Sequence, residues 1–525
     1  MVLLGGAGWN CKGPVVPKSQ SGATLYSEQH RPQFHFSPPA KWMNDPNGMV
    51  YFGGEYHLFY QYYPDSTVWG PMHWGQAVSK DLERWEHLPI ALYPDSLGYI
   101  FSGSAVVDWK NTSGFGVGGQ PPLVAVFTYH NMAGEKAGRT DFQYQGIAYS
   151  TDKGRHWTKY AGNPVLPNSE GIRDFRDPKV IWDERSKQWV MVFAAYDHVK
   201  IWTSPDLKTW KHRSDFGKEW GAHGGVWECP DLFPLSVKGS NETKWVLLVS
   251  LNPGAPNGGS GTQYFVGNFD GQTFFPDPSF AASVTSGNAV WLDYGRDNYA
   301  GVTWSDIPAS DGRRLFIGWM SNWDYAQAVP TASWRSAMTL PRALTLHKTA
   351  AGYRLFSQPV DELKTLRAAT HTWKAEAFSG ETTAALPSGF SAGQLELVLE
   401  FEPEAGSAAD FGVELSNAGG ERYRIGYDAA RRQFYSDRTM AGNAAFSEKF
   451  ARAIHTAPRL SNEKIVRFHL FFDASSAELF ADGGATTLTD IFFPGEVFNH
   501  LKCYAGKGRV KWRRGEVYAL KRIWP

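Results

Sequence analysis

The chain has 525 residues, in which 52 lysines and arginines balance 52 aspartates and glutamates, and 15% of the residues are aromatic. This length predicts two domains, and the zero formal net charge excludes a protein that binds nucleic acid mainly through electrostatics. No apolar run reaches the roughly 18 residues of a membrane span, so no membrane partner is expected.

Residues 1–29 are rich in Gly, Pro and Ser and are predicted to form an N-terminal tail. The first residues lack the charged and apolar regions of a signal peptide, although a removed leader would leave the same picture. After the tail, short apolar runs bounded by Gly, Pro, Asn and Asp predict β-strands, whereas long helical periodicity is nearly absent. Four clear examples are 56–60, 123–127, 189–193 and 245–249.

A weak repeat accompanies these strands. Asp81, Asp152, Asp206 and, more loosely, Asp270 each precede an aromatic residue by four or five positions. Aspartate favours the start of a tight turn, so each copy predicts a hairpin. Strand-rich units at this spacing indicate propeller blades, of which about five fit between residues 34 and 346. A two-sheet sandwich with chance hairpins is the alternative at this point.

The pattern changes near residue 360, where a charged stretch (360–375) predicts a short helix. Beyond it, apolar and polar residues alternate along several segments, which predicts an antiparallel β-sandwich. These segments are 394–401, 422–427, 466–472 and 477–480. We therefore expect a tail at 1–29, a β-propeller at 30–358, a linker at 359–372 and a β-sandwich at 373–525.

Three acids lie in unusual turns of the predicted propeller. Asp45 lies in Asn-Asp-Pro-Asn-Gly (44–48), Asp177 in Arg-Asp-Pro (176–178) and Glu228 in Glu-Cys-Pro (228–230). Each one alone is also explained as a turn former or a salt-bridge partner. On successive blades, whose inner strands meet at one axis, they predict a shared site. Such carboxylates among many Trp and Tyr residues are typical of enzymes that cleave glycosidic bonds.

Retaining cleavage requires a carboxylate nucleophile and, about 5 Å away, a protonated carboxylic acid. Asp45 and Glu228 suit these roles chemically. Arg176 is expected to keep Asp177 ionised, which suits this residue to binding sugar hydroxyls. Cys229 is interpreted as a buried thiol that tunes its neighbours, and for Cys11 and Cys503 free thiols and one bridge both stay open. No metal or other cofactor is expected, because no Cys/His ligand spacing is present.

The three motifs, complete and in this order, resemble those of glycoside hydrolase family 32, the invertase, inulinase and levanase family. Similar strings at 101–105, 260–267, 318–323 and 334–342 extend the resemblance over about residues 30 to 520. It implies a five-bladed β-propeller followed by a β-sandwich. It also implies Asp45 as nucleophile, Glu228 as general acid/base and Asp177 as transition-state stabiliser. The substrate-binding residues that it implies are Trp42, Asn44, Gln61, Trp69, Phe101, Ser102, Arg176, Asp293 and Trp319.

The resemblance implies a retaining hydrolase that releases terminal β-linked fructose. The stretch 252–259 resembles microbial exo-acting enzymes, which favours levan or inulin, and sucrose, as substrates. A fructosyltransferase or an endo-acting fructanase of the same family is the alternative, and a non-catalytic fructan-binding protein is a third hypothesis. Polymeric substrates suggest secretion. The sandwich is expected to stabilise the propeller, with sugar binding or a homodimer contact as alternatives.

Overall fold

The computed structural model describes residues 25–525 except residue 286 and residues 405–409. Most of the predicted tail, with Cys11, therefore lies outside the described residues. Helix is scarce within the described ranges. The helical segments there are α1 (Met132–Lys136), α2 (Pro278–Ala281) and one 3-10 helix (Asp361–Leu366). None of these segments has the length and apolar character needed to cross a bilayer.

Five mainly antiparallel sheets form the predicted propeller. The first blade contains β1 (Lys41–Phe52), β2 (Glu55–Tyr63), β3 (His73–Ser79) and β4 (Glu86–Leu92). The second contains β5 (Tyr99–Val107), β6 (Leu123–His130), β7 (Gln143–Ser150) and β8 (Thr158–Lys159). The third contains β9 (Phe175–Asp183), β10 (Gln188–Ala195), β11 (His198–Ser204) and β12 (Lys211–Phe216). The fourth blade contains β13 (Val226–Ser236), β14 (Thr243–Asn252), β15 (Gly261–Phe269) and β16 (Phe274–Pro276). The fifth contains β17 (Tyr299–Thr303), β18 (Arg314–Met320), β20 (Ala337–Met338), β21 (Arg342–Thr349) and β22 (Gly352–Pro359). The short strand β19 (Trp334–Arg335) lies between β18 and β20 in the chain.

The blades close into a ring. The innermost strands β1, β5, β9, β13 and β17 contact one another in sequence, and β17 also contacts β1. The short strand β19 lies within the fifth blade's part of the chain but belongs to the first sheet. It pairs in parallel with β1, where Lys41 lies opposite Trp334 and Trp42 opposite Arg335. A segment from the end of the propeller therefore completes the sheet that begins it.

The aspartate repeat marks the same turn in four blades, between the third and fourth strands. In each copy the carboxylate accepts two backbone N–H groups at 2.7–3.1 Å. The residue that follows the aspartate has a positive φ in every copy, namely Leu82, Lys153, Leu207 and Gly271. The propeller prediction is confirmed, and the repeat is explained by side-chain capping of a tight turn.

The C-terminal domain is built from antiparallel strands around one apolar core. Its strands are β23 (Arg367–Thr372), β24 (Ala377–Thr383), β25 (Leu395–Pro403), β26 (Asp410–Ser416), β27 (Arg422–Asp428), β28 (Gln433–Met440), β29 (His455–Pro458), β30 (Val466–Asp473), β31 (Ser476–Ala481), β32 (Thr486–Ile491) and β33 (His500–Leu520). The long β33 pairs with β23, β24, β25 and β26, so it joins both layers of the predicted sandwich.

The two domains share a buried interface. Arg342, on β21 of the propeller, is 0% exposed and donates hydrogen bonds to Asp293 and to Glu478 of the C-terminal domain, at 2.9 and 2.5 Å. Arg438 of the C-terminal domain pairs with Asp297 of the propeller at 2.6 Å, and both are 0% exposed. Removing Arg342 or Arg438 would therefore leave buried carboxylates that lack this partner.

Candidate active site

All five inner strands are irregular at the same level of the propeller. Ladder pairing is interrupted at 43–46 in β1, 100–103 in β5, 176–179 in β9, 228–231 in β13 and 299–302 in β17. Bulges of this kind bend a strand and change the direction of its side chains. Each interruption includes or directly follows one polar site residue. These residues are Asp45, Ser102, Asp177, Glu228 and Tyr299.

The four bulges of β1, β5, β9 and β13 open onto one cavity of about 310 Å³. Nine of the twelve residues singled out from the sequence line it, and seven others join them. The lining residues are Asn44, Asp45, Gln61, Trp69, Phe101, Ser102, His130, Glu135, Phe142, Gln143, Asp174, Arg176, Asp177, Glu228, Trp323 and Gln327. The inner strands thus bring together residues that are far apart in the chain.

Asp45 is held by donors on both carboxylate oxygens. Ser102 Oγ donates to Oδ2 at 2.7 Å, and Asn44 Nδ2 donates to Oδ1 at 3.0 Å. The amide of Asn44 is itself oriented, because Trp42 Nε1 donates to its Oδ1 at 2.7 Å. Since Trp42 is 0% exposed, the two hydrogen bonds from Trp42 to Asn44 and from Asn44 to Asp45 connect the Asp45 carboxylate to the propeller core.

Cys229 lies between two of the acids. Its Sγ is 3.7 Å from Asp45 Oδ2 and 3.6 Å from Asp177 Oδ2, and its backbone N–H donates to Asp177 Oδ2 at 3.0 Å. Asp177 and Cys229 both have left-handed backbone conformations, with φ of +65° and +46°. A left-handed backbone is unfavourable for a residue with a side chain, so both bulges are locally strained. Cys229 and Cys503 are buried free thiols.

Glu228 is held by Arg176 and Tyr299. Arg176 donates to Oε1 through Nε and Nη2 at 3.2 and 3.0 Å, and Tyr299 Oη donates to Oε2. The same guanidinium donates to Asp174 at 2.5 Å. Both oxygens of Glu228 therefore have partners before any sugar enters.

Burial shifts the ionisation of the other two acids. The pKa of Asp45 is raised to about 6, first by burial and then by the negative charge of Glu228. The pKa of Asp177 is raised to about 7 by burial, with Glu228 and Asp45 adding to the shift and Arg176 opposing it. The expectation that Arg176 keeps Asp177 ionised needs correction, because loss of hydration outweighs the guanidinium charge.

Asp45→Asn is expected to raise the thermal midpoint of the protein at pH 8. A raised folded-state pKa means that the contribution of Asp45 to stability is full below pH 4 and is lost as the pH rises through 6. The amide cannot ionise, so it avoids this loss, which amounts to at most about 3 kcal/mol. Scanning calorimetry at pH 5 and pH 8 should show a gain that grows with pH. Asn in place of the exposed Asp65 is the control, and an equal gain there would contradict the argument.

Two predicted wall residues lie behind the cavity instead of lining it. Trp42 and Trp319 are both 0% exposed, with ring centroids 6.2 Å apart. The indole that lines the cavity in front of them is Trp323, which packs on Trp42 at 5.9 Å and on Trp319 at 4.9 Å. The two buried rings support the wall, because the strand that carries Trp319 points it into the core.

Asp293 is also placed elsewhere, which corrects its expected position in the pocket. Its carboxylate accepts from Arg342 Nη1 at 2.9 Å, from Thr489 Oγ1 at 2.7 Å and from Thr489 N at 3.0 Å. All of these contacts lie at the buried interface with the C-terminal domain. Its hydrogen-bonding capacity is used there, so no oxygen is left for a sugar.

Sequence reasoning missed one side of the cavity, where His130 and Glu135 lie around α1. Asn131 caps this short helix by accepting from Gly134 N at 2.9 Å. Glu135 lies 3.0 Å from His130 Nε2, whose pKa burial lowers to about 4. Neither residue belongs to a motif, and a five-residue helix has no readable periodicity. Trp323, by contrast, ends a string that the resemblance included, so it could have been found.

Two family descriptions match adjoining parts of the chain. The description "Glycosyl hydrolases family 32 N-terminal domain" matches residues 35–359, and "Glycosyl hydrolases family 32 C terminal" matches residues 362–519. Together they span nearly all of the described residues.

Similar proteins and structures agree with this match. A protein named levanase from Bacillus subtilis (strain 168) is 50% identical over 503 residues, covering 96% of this chain and 72% of that protein. An extracellular exo-inulinase from Aspergillus awamori is 39% identical, covering 95% of this chain and 96% of its own. A crystal structure of exo-inulinase from the same organism has a TM-score of 0.86, with 38% identity over 95% of this chain and all of that one. The structure of beta-fructofuranosidase from Schwanniomyces occidentalis complexed with fructosyl-erythritol has a TM-score of 0.84, with 31% identity over 96% of this chain and 100% of that one.

Proposed function

Because the chain belongs to glycosyl hydrolase family 32, we propose that it is an exo-acting β-fructosidase that releases terminal fructose from levan, inulin and sucrose with retention of configuration. The observation that carries this proposal is the pair of carboxylates in one cavity, Asp45 held by Ser102 and Asn44 and Glu228 held by Arg176. Relatives named levanase and exo-inulinase support the substrate class.

In the first step of this mechanism, Asp45 attacks the anomeric carbon of the terminal fructosyl unit while Glu228 gives its proton to the departing glycosidic oxygen. The glycosidic bond breaks as the fructosyl–aspartate ester forms. In the second step, a water molecule gives a proton to Glu228, and the oxygen of that water attacks the anomeric carbon. Fructose leaves, Asp45 becomes a free carboxylate again, and Glu228 is again protonated.

Asp177 and Arg176 complete the proposed site. Asp177 lies beside Asp45 across the Cys229 thiol, a position from which it can accept hydrogen bonds from fructosyl hydroxyls. Hydrogen bonds that strengthen as charge develops on the ring stabilise the transition state. Arg176 holds Glu228 and Asp174 together, so it keeps the acid/base residue oriented.

The size of the cavity supports exo action. A volume of about 310 Å³ is at the small end of ligand pockets. It accommodates the terminal unit of a chain and part of the next, whereas an endo-acting enzyme requires a cleft open at both ends. The rim formed by Trp69, Phe101, His130 and Glu135 restricts the cavity on the side where a leaving sugar would lie.

Time-resolved product analysis on sucrose, inulin and levan tests this function. We expect fructose as the sole early product from both polymers, and NMR within the first turnovers should show the β-anomer. Early short oligosaccharides would contradict exo action, products longer than a small starting sugar would indicate transfer, and an α-anomer would contradict retention. No turnover of any of the three would overturn the hydrolase proposal.

The raised pKa of Asp45 predicts an acidic limit to activity. Below pH 6 the nucleophile becomes protonated, so kcat/KM is expected to fall about tenfold per pH unit. Because the charge of Glu228 contributes to this pKa, Glu228→Gln should move the acidic limb of its residual activity to lower pH. A limb that stays in place would contradict the proposed coupling. Initial rates on sucrose across pH 3–8 provide the measurement.

We also propose the finer organisation expected from the sequence. A division near residue 360 into a catalytic propeller and a stabilising sandwich is supported by the two adjoining family matches. Secretion is supported by polymeric substrates and by relatives named extracellular. A homodimer through the C-terminal domain is supported by its exposed Met440, Ile454 and Val497, at 49–64% exposure. Light scattering tests the homodimer, since one chain has a mass of 58.5 kDa and a dimer would have twice that mass.

A further inference from the structure

A second cavity, of about 500 Å³, lies at the other end of the propeller axis. We call it the rear cavity. The inner strands β5, β9 and β13 reach it with residues 106–107, 179–183 and 232–234, several positions beyond Ser102, Asp177 and Glu228. At about 3.3 Å per strand residue, the nearest lining residues lie roughly 13 Å beyond Ser102 and Glu228 and roughly 7 Å beyond Asp177.

Buried residues separate the rear cavity from the candidate active site. Asp231 and Thr303 are 0% exposed and lie on inner strands between the two levels. Lys179 connects them, because its Nζ donates to Thr303 O at 2.5 Å and lies 3.4 Å from Asp231 Oδ2. The rear cavity is therefore a separate site and not an extension of the one that holds the three acids.

Its walls are rich in indole rings. Trp109, Trp182 and Trp245 line it from three different strands or loops, and Trp109 is 62% exposed. Trp109 is also oriented, since its Nε1 donates to Asp306 Oδ1 at 2.9 Å. An exposed, oriented indole is a surface on which the apolar face of a sugar ring can stack.

Polar atoms of the lining also lack partners. Trp182 Nε1, Ser305 Oγ and Arg314 Nε are buried atoms without a hydrogen-bond partner among the described residues. Ser305 itself is only 8% exposed. Buried groups of this kind normally bond to protein, water or ligand. Because these three atoms have almost no accessible surface, they lie behind the cavity wall and do not contact the contents of the cavity.

The charges of the lining cancel. Three cationic side chains, those of Lys110, Lys179 and Arg314, face three carboxylates, those of Asp183, Glu184 and Asp306. A lining without net charge favours a neutral ligand over an anion or a cation. Lys110 covers the Trp182 ring at 4.3 Å and pairs with Glu184 at 3.2 Å. Both residues of this ion pair are largely exposed, so the pair is weak, and a sugar ring can displace the Lys110 side chain from the Trp182 ring.

From these observations we propose that the rear cavity is a second carbohydrate-binding site, which holds fructosyl units of the polymeric substrate without cleaving them. The proposal rests on the proposed function in its choice of sugar. A chain held at the rear cavity would raise the local concentration of polymer near the enzyme, in the way that linked sites increase avidity. Sucrose, which is too short to reach both sites, would gain nothing.

Affinity electrophoresis in gels that contain levan tests this site. The parent is the full chain with Asp45→Asn, which keeps the polymer intact during the run. Trp109→Ala and Trp182→Ala are added to it separately, and Phe275→Ala, a half-exposed aromatic of the outer strand β16, is the matched control. Retardation of the parent is expected, and either Trp variant should raise the apparent dissociation constant about fivefold or more. The control should migrate like the parent.

Kinetics on the otherwise unmodified enzyme separate this proposal from the proposed function. Each Trp variant should raise KM for levan while its sucrose kinetics, which also report folding, stay close to those of Phe275→Ala. Trp variants that migrate like the parent, or a parent that is not retarded, would overturn the second site. An enzyme that hydrolyses neither sucrose nor levan would instead overturn the proposed function.

Discussion

Glu228→Ala is expected to lower kcat for sucrose and fructans by about 10⁴-fold, the upper range for loss of a general acid/base. The alkoxide leaving group of a sugar requires a proton, and no other described carboxyl group is bound by both Arg176 and Tyr299. With β-fructosyl fluoride, whose leaving group needs no proton, sodium azide should restore part of the activity, because azide needs no base to attack the fructosyl–Asp45 ester. The product should be the β-fructosyl azide, identified by NMR.

Two variants make this assignment specific. Glu135→Gln changes another carboxylate of the same cavity, and it should have a much smaller effect because Glu135 contacts Arg173 and His130 at the rim. Asp45→Ala should be equally inactive, but any product formed with azide should be the α-anomer, since azide would then attack the substrate directly. An α-azide from Glu228→Ala would exchange the proposed roles of the two acids.

Arg342→Met is expected to destabilise the protein by about 3–5 kcal/mol, as for other buried ion pairs that lose one partner. The guanidinium is 0% exposed and neutralises Asp293 and Glu478, whose side chains are also at most 2% exposed. Methionine fills similar volume but leaves Asp293 without its cation and Glu478 with His35 alone, at 2.8 Å. Differential scanning calorimetry should show a lower midpoint, while kcat on sucrose at 25 °C changes little.

Neutralising the two carboxylates distinguishes the stability lost to unpaired charges from the stability lost to poorer packing. Adding Asp293→Asn and Glu478→Gln to Arg342→Met should recover part of the stability, because neutral amides are less unfavourable than unpaired carboxylates in the interior. Arg139→Met is the control, since that arginine is 56% exposed and pairs with the exposed Asp141. An equal loss in the control, or a triple variant less stable than Arg342→Met, would contradict this account.

Much of the fold could be predicted from local chemistry. The aspartates of the repeat accept backbone N–H groups in the turn between the third and fourth strands of four blades, so the repeat was visible before any tertiary contact was known. The alternation of 394–401 reports a strand with one face in a core, and β25 has that burial pattern. The strand β19 could not be foreseen, because two residues that pair in parallel with β1 carry no periodic signal.

The site could be predicted only as far as motifs extend. Asp45, Asp177 and Glu228 stand in short strings that constrain the backbone, so their convergence was expected. The sequence did not predict which side chains face the cavity and which lie behind it. Trp42 and Trp323 are both tryptophans, but only the ring of Trp323 lines the cavity. Asp293 likewise lies in an ordinary sequence, and its pairing with Arg342 depends on a second domain.

The parallel pairing of β1 with β19 also has a consequence for biosynthesis. Lys41 and Trp42, at the start of the strand that carries Asp45, lack their parallel partners until Trp334 and Arg335 have been added. At typical translation rates this delay is roughly a quarter of a minute to a minute. During that time an unpaired edge is exposed to pairing with other nascent chains. Protection by a chaperone, or export before the last blade closes, would therefore favour the yield of active enzyme.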